Sequence, residues 1–284
     1  MPVKQATTTA QQVSLIKQKG FIVTDDADCE KFFDRHNYYR VSAYLLPFKT
    51  QGGYIQGIPF SRIKNIYAFD SALRKFIIST IEQIEHYCRT VFSRIFVNSH
   101  GALGYMDASN YSSFHDHVRF QTTLQGYLTN NKRSPVVKHH QASYGGDFPL
   151  WVMIEFFSIG TLSYFYSDMK SPDQKAIASV FGTSVQCLKS WMRCLTDLRN
   201  RCAHFSRLYY WKYNAVPRMP SSSKYTADRR LFSQILMLSY MYPDTDEWNQ
   251  TALPELKTLI VKYSSDIDLA HNSFPIDWET QLTR

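Results

Sequence analysis

Residues Ser61 to Asn98 read SRIKNIYAFDSALRKFIISTIEQIEHYCRTVFSRIFVN. Ile63, Ile66, Tyr67, Leu73, Phe76, Ile77, Ile81, Ile84, Val91 and Ile95 recur in it at steps of three and four, the period of one helix face. One long helix, or two with a bend, is predicted. Outward from this stretch the pattern stays helical. Towards the N-terminus, Thr9 to Lys19 reads as a short helix stopped by Gly20, and Asp25 or Asp26 can cap a second helix running through Phe33. An aromatic element, Tyr38 to Phe48, ends at Pro47, and Gly52 to Pro59 reads as a loop or short hairpin. Towards the C-terminus, a Gly-, Ser-, Asn- and His-rich stretch reads as loops around one helix, Phe114 to Thr129. Helices Pro149 to Met169, Pro172 to Phe181, Ser184 to Tyr210, Ala227 to Tyr242 and Leu253 to Tyr263 follow, and the tail from Ser264 is loop-like. The fold class is all-α. No composition break divides the chain, so residues 1–60 (N-terminal helical segment), 61–242 (helical core) and 243–284 (C-terminal helical extension) are expected to pack as one globular unit. At 284 residues such a unit can bury roughly 75% of the surface its unfolded chain exposes.

The segment Ser184 to Tyr210 carries the chemistry. Leu188, Trp191, Met192, Leu195, Leu198, Cys202 and Phe205 recur at helical spacing and form its core stripe. Opposite them, at about 100° per residue, Asn200, His204 and Arg207 fall on nearly one line, with Arg193 further back. Arg199 projects between that line and the core edge, where its stem can pack while its guanidinium reaches a phosphate. Metal-free RNA cleavage needs a base for the 2′-hydroxyl proton, a group to neutralise the phosphorane, and an acid for the 5′-oxygen. An imidazole serves either proton-transfer role near neutral pH, and a guanidinium suits charge neutralisation. A carboxamide can orient the imidazole or donate to a phosphate oxygen. The helix lacks a second proton-transfer group. Structural roles are open to the same residues: Arg199 can pair with Asp197 or Glu85, Asn200 can be a plain surface residue, and Arg207 lies outside the core hexad. Glu85 and Arg89, four apart on the long helix, either pair with each other or, with His86, complete the site from the side.

Composition sets limits. Thirty-two Lys and Arg against 24 Asp and Glu leave a net charge of +8, which favours polyanionic partners. Aromatic residues make up 15% of the chain and can supply base-stacking platforms, although core positions account for most such residues. Lys132 and Arg133, with Lys138, form a basic patch that could hold an RNA backbone or simply be solvated. The five cysteines are odd in number and include no C-x-x-C pair, and three of them, Cys187, Cys194 and Cys202, share one helix. Neither a disulfide framework nor a zinc knuckle is supported. His115-x-His117 and His139-His140 have the residue types of a metal site but lack a ligand-spacing motif, and read as solvated loop histidines. No cofactor is expected, because no phosphate-cradling glycine loop occurs. The start, Met1 to Thr7, lacks the apolar region of an export signal, and Leu150 to Tyr166 is too interrupted to span a membrane. A cytoplasmic protein is expected.

The spacing Arg199-Asn200-x3-His204 resembles the signature of the HEPN superfamily. Further landmarks resemble the Abi-type abortive-infection proteins of the AbiD/AbiF kind. They are Asn37-Tyr38-Tyr39-Arg40-Val41-Ser42-Ala43-Tyr44 with Leu45-Leu46-Pro47-Phe48, then Ile84-Glu85-His86 with Arg89, then Phe148-Pro149-Leu150-Trp151 through Gly160-Thr161-Leu162, and finally Leu198 to Trp211. They follow one another in the family's order from about residue 10 to 240. The resemblance implies a HEPN-like helical bundle with additional N- and C-terminal helices. It implies a metal-independent endoribonuclease of an abortive-infection or toxin system, with Arg199, Asn200 and His204 catalytic and products bearing 2′,3′-cyclic phosphate and 5′-hydroxyl ends. It further implies a homodimer whose second copy supplies the missing group, an RNA substrate, and in some members a structured noncoding RNA antitoxin. The alternative of another class is a non-catalytic HEPN scaffold or sensor that binds RNA or a nucleotide.

Overall fold

The structure is a computed structural model and describes residues 5–284. Met1 to Lys4, on which part of the export-signal reading rests, lie outside the described residues. Helix α1 (Thr9–Gln18) opens with a reciprocal capping box between Thr8 and Gln11 and ends at Gly20, whose φ of 87° supplies the left-handed residue of the stop. Asp25 caps α2 (Asp26–Arg35) by accepting from Asp28 N–H. The aromatic element is a short helix, α3 (Tyr38–Ser42), running into a 3₁₀ turn, Ala43–Phe48, that keeps Pro47 inside it. A two-residue hairpin follows, β1 (Lys49–Thr50) against β2 (Gly53–Tyr54), antiparallel with Lys49 opposite Tyr54.

The long pattern forms one helix, α4 (Phe60–His100), 41 residues or about 60 Å long at 1.5 Å per residue. Every apolar residue of its stripe except Tyr67 and Ile95 is buried. Both exceptions are half-buried against the core. After α5 (His117–Asn130) and α6 (Pro135–Ser143), the helices α7 (Leu150–Met153), α8 (Ile159–Asp168), α9 (Ser171–Val180) and α10 (Val185–Ala203) pack against α4. The chain closes with α11 (Leu231–Met241), α12 (Thr245–Glu247), α13 (Leu253–Lys262) and α14 (Trp278–Leu282). The protein is all-α apart from the small hairpin. One contiguous cluster of buried side chains runs from Val13 to Leu282, so the first and last helices share a core with α4.

Three expectations change. The stretch Pro149 to Met169 is not one helix: α7 passes through a 3₁₀ turn, Ile154–Phe156, and Ser158 restarts the chain as the N-cap of α8 by accepting from Thr161 N–H. Arg89 explains the break, since its guanidinium takes the carbonyls of Ile154 and Phe157, at 3.3 and 2.8 Å. The region around Lys138, His139 and His140 is helix α6 rather than loop, started by Pro135 at its first turn. The tail is not plain loop either, because Leu269–Asn272 forms a 3₁₀ turn and α14 follows. Among the described residues no helix is long and apolar enough to cross a membrane.

Candidate functional site

Helix α10 is built as its pattern requires, but it stops early. Ser184 caps its start by accepting from Cys187 N–H, and Cys187, Leu188, Trp191, Met192, Cys194, Leu195, Leu198 and Cys202 are buried. The predicted continuation to Tyr210 is wrong: the helix ends at Ala203, with His204 as C-cap. Phe205 N–H bonds to Cys202 O and Ser206 N–H to Arg201 O, at 3.1 and 2.9 Å. Phe205 itself takes φ 54°. This is a Schellman stop with a phenylalanine where glycine is usual. Two consequences follow. Phe205 leaves the core stripe and is 64% exposed. Arg207 leaves the line of Asn200 and His204; its guanidinium turns inward, donates to Ala43 O and lies over the rings of Tyr44 and Trp211 at 6.0 and 5.9 Å. Burial pulls the Arg207 guanidinium below its ordinary pKa. Arg207 is a strut between α3's extension and the end of α10, not a free RNA contact.

What anchors this end of α10 is a residue that the spacing analysis passed over. Asp70, fully buried on α4, accepts from Leu208 N–H and Tyr209 N–H at 3.0 and 2.7 Å and from the Tyr44 hydroxyl at 2.6 Å. Arg74, one turn on, pairs with the same carboxylate and reaches Ser206 O at 3.4 Å. Burial pushes the Asp70 carboxyl up, while Arg74, Tyr44 and the two N–H groups pull it down. The same carboxylate raises Arg74, against the burial of that guanidinium. We read the pair as ionised, since four donors converge on one carboxylate. A carboxylate four residues before an arginine, on the apolar stripe of the longest helix, was the sequence signal for it.

The remaining candidates separate into three places. Asn200 and His204 are exposed at the end of α10, and His204 N–H closes the last helical bond onto Asn200 O at 2.9 Å. Asn200 and Arg193 also line an open groove of about 1100 Å³ between α8, α10 and residues 214–218. Arg199 turns the other way, into a cleft of about 240 Å³ walled by Glu82, Glu85, His86 and Arg89 of α4. It forms no ion pair among the described residues, so neither Asp197 nor Glu85 holds it. Glu85 is already engaged by Arg89 at 2.6 Å, and Arg89 also donates through Nε and Nη2 to the backbone before α8. These two residues therefore shape the wall beside Arg199 rather than offering free groups. Lys132 and Arg133 are exposed in the turn between α5 and α6 and line neither cleft.

Of the four histidines read as solvated, His139 is exposed and the other three are engaged by neighbours. His115 is packed flat on Tyr111, ring centres 3.9 Å apart, with Nδ1 2.9 Å from Asp168 and Nε2 3.2 Å from His117 Nδ1. His140 bonds Val136 O through Nδ1 at 2.9 Å and stacks on Phe148. Among the described residues no group of three or more His, Cys, Asp or Glu side chains is arranged to hold a metal ion.

The landmarks along the chain now have structural jobs: Tyr44 and the Leu208–Tyr209 backbone meet on Asp70, while Arg89 sets the start of α8, which walls the groove beside α10. Comparison with known proteins gives the family. No curated protein and no solved structure matches the chain. The family described as Abi-like protein matches residues 31–210, which takes in α3 through α10 and the Asp70-anchored turn. The chain belongs to the Abi-like protein family.

Proposed function

We propose that the chain acts in abortive infection as a metal-independent endoribonuclease of the HEPN type. Family membership supports the defence role. The observation that carries the nuclease reading is the end of α10, where a guanidinium without an ion pair among the described residues, a carboxamide and an exposed imidazole occupy six consecutive residues, followed by a turn anchored on a buried ion pair. In this reading His204 transfers the 2′-hydroxyl or 5′-oxygen proton, Arg199 neutralises the phosphorane, and Asn200 fixes the imidazole or a phosphate oxygen. Arg199 and Asn200 face different clefts of one chain. The reading therefore assigns the second proton-transfer group to a second copy, in a homodimer that brings two α10 ends together. A structured noncoding RNA acting as antitoxin belongs to the same proposal.

The divergence of Arg199 and Asn200 also favours a second reading, a non-catalytic RNA- or nucleotide-binding scaffold. Incubation of purified protein with total RNA and chelator separates the two. Chelator-resistant cuts with cyclic-phosphate ends, lost in His204→Ala and reduced at least about 10²-fold in Arg199→Ala, are expected. RNA retained equally by wild type and His204→Ala, and never cut, would establish the scaffold instead.

A further inference from the structure

The groove beside α10 continues into a second cavity of about 430 Å³, which shares Gly160, Tyr164 and Asp168 with it. At the join stands Tyr164, 70% exposed, and on the far rim Phe114, 93% exposed. Among the described residues neither ring packs against another aromatic ring, and both are exposed along one trough. Lys189, Arg193 and Arg218 border the main groove and Arg119 borders the extension. None of the four is ion-paired among the described residues. Three carboxylates share the trough with these four cations: Asp168, bonded to His115, Asp116, which caps α5 by accepting from Arg119 N–H, and Asp197. Only Asp197 has no such partner.

We propose that this trough is a binding site for single-stranded RNA, with Tyr164 and Phe114 stacking unpaired bases and Lys189, Arg193 and Arg218 holding phosphates. Free aromatic faces spaced along a cationic groove suit an unstacked strand, because a duplex keeps its bases stacked on each other and offers none to a ring. The main groove follows α10 from Gln186 to Asn200, about 21 Å at the helical rise. A strand lying in it is led to the turn that carries His204. The choice of RNA over DNA rests on the nuclease reading above; the stacking geometry does not.

Fluorescence anisotropy on the full chain in a His204→Ala background tests this, with a labelled oligouridylate of about 12 nucleotides and a blunt RNA duplex of the same length. Tyr164→Ala is expected to weaken single-strand binding about tenfold, Tyr164→Phe to restore it, and Arg193→Ala to lower the salt slope by about one. The duplex should bind more weakly and ignore Tyr164. Both rings are exposed, so an unchanged melting transition checks that the variants fold. Unchanged single-strand affinity in the Tyr164→Ala, Phe114→Ala double variant overturns the site, as does tighter binding of the duplex or no binding of either probe. The two ideas fail separately. Tyr164-dependent binding without cleavage by the native His204 protein keeps the trough and removes the nuclease, whereas cleavage indifferent to both rings does the reverse.

Discussion

Phe205 is held in a backbone conformation that costs an L-residue roughly 1–2 kcal/mol, and its ring, mostly in solvent, recovers little of that by packing. The helix stop before it is complete without the side chain, since both closing bonds are made by main-chain atoms. Phe205→Gly should therefore raise stability by about 0.5–1 kcal/mol after the extra freedom of glycine in the unfolded chain is subtracted. Phe205→Ala, which keeps a Cβ at positive φ, should leave it within about 0.5 kcal/mol. Urea midpoints of the three proteins decide it; equal midpoints for the glycine and alanine variants would mean that the φ of this residue carries no measurable penalty. The neighbour of a candidate catalytic histidine thus bears a strain that a one-residue change relieves. Its retention is consistent with a ring needed there by a second copy or a strand of RNA.

At the level of elements, α4 organises the molecule through two charged side chains, Asp70 and Arg89. Asp70 fixes the turn after α10, and Arg89 fixes the turn before α8. Asp70→Asn keeps an acceptor for the backbone but leaves the Arg74 charge buried without its counter-charge, so a loss of about 3–5 kcal/mol is expected in denaturant unfolding. Cleavage should fall with it even where the variant folds, because the residues after His204 lose their anchor. A variant with full activity and a shifted midpoint would show that the turn holds its shape unaided. These long-range bonds also explain where the sequence was legible. The length of α4, the presence of α1, α2 and α9 and the core face of α10 up to Cys202 follow from local periodicity and caps, and they were readable. The end of α10 was not, because no glycine or proline marks it, and the stop is enforced by a carboxylate 138 positions earlier in the chain. The break before α8 likewise answers to Arg89, 68 positions back. Helix α6 is nine residues long with histidines at its middle, too short and polar for a periodic signal. Arg199, Asn200 and His204 were identifiable by residue type. That Arg199 enters a cleft walled by α4 was not, since it depends on which side of α10 the wall of α4 lies.

Across the whole molecule, the C-terminal segment reaches back to the residues that follow α10. Asp268 N–H donates to the Tyr209 hydroxyl at 2.9 Å, Tyr210 N–H to Asn272 Oδ1 at 2.9 Å, and Arg62 to Asp266 O at 2.8 Å. All five cysteines are buried inside this closed unit, and burial pushes the thiols of Cys29 up to about 11 and of Cys194 and Cys202 up to about 12. Alkylation at pH 8 should consequently follow global unfolding, with these three thiols unmodified in native protein and labelled in urea; rapid native labelling would reveal local opening of α10. The joint itself holds a titratable group. His271 Nδ1 lies 2.8 Å from the Tyr209 hydroxyl, and its ring is edged by Phe48, Tyr209 and Tyr210. Burial lowers its pKa from 6.5, Asp268 partly opposes this, and Arg62 and Arg230 reinforce it. The unfolded chain then binds more protons than the folded one just below pH 6.5, so stability rises with pH through that window and is lost as pH falls. His271→Gln, which cannot protonate but can still meet the tyrosine hydroxyl, should show a smaller drop in urea midpoint between about pH 7.5 and 5.5 than wild type. Parallel drops in the two proteins would remove His271 as the origin, whereas a flattened profile would tie the acid stability of the candidate site to the docking of Asp268 and His271 onto Tyr209.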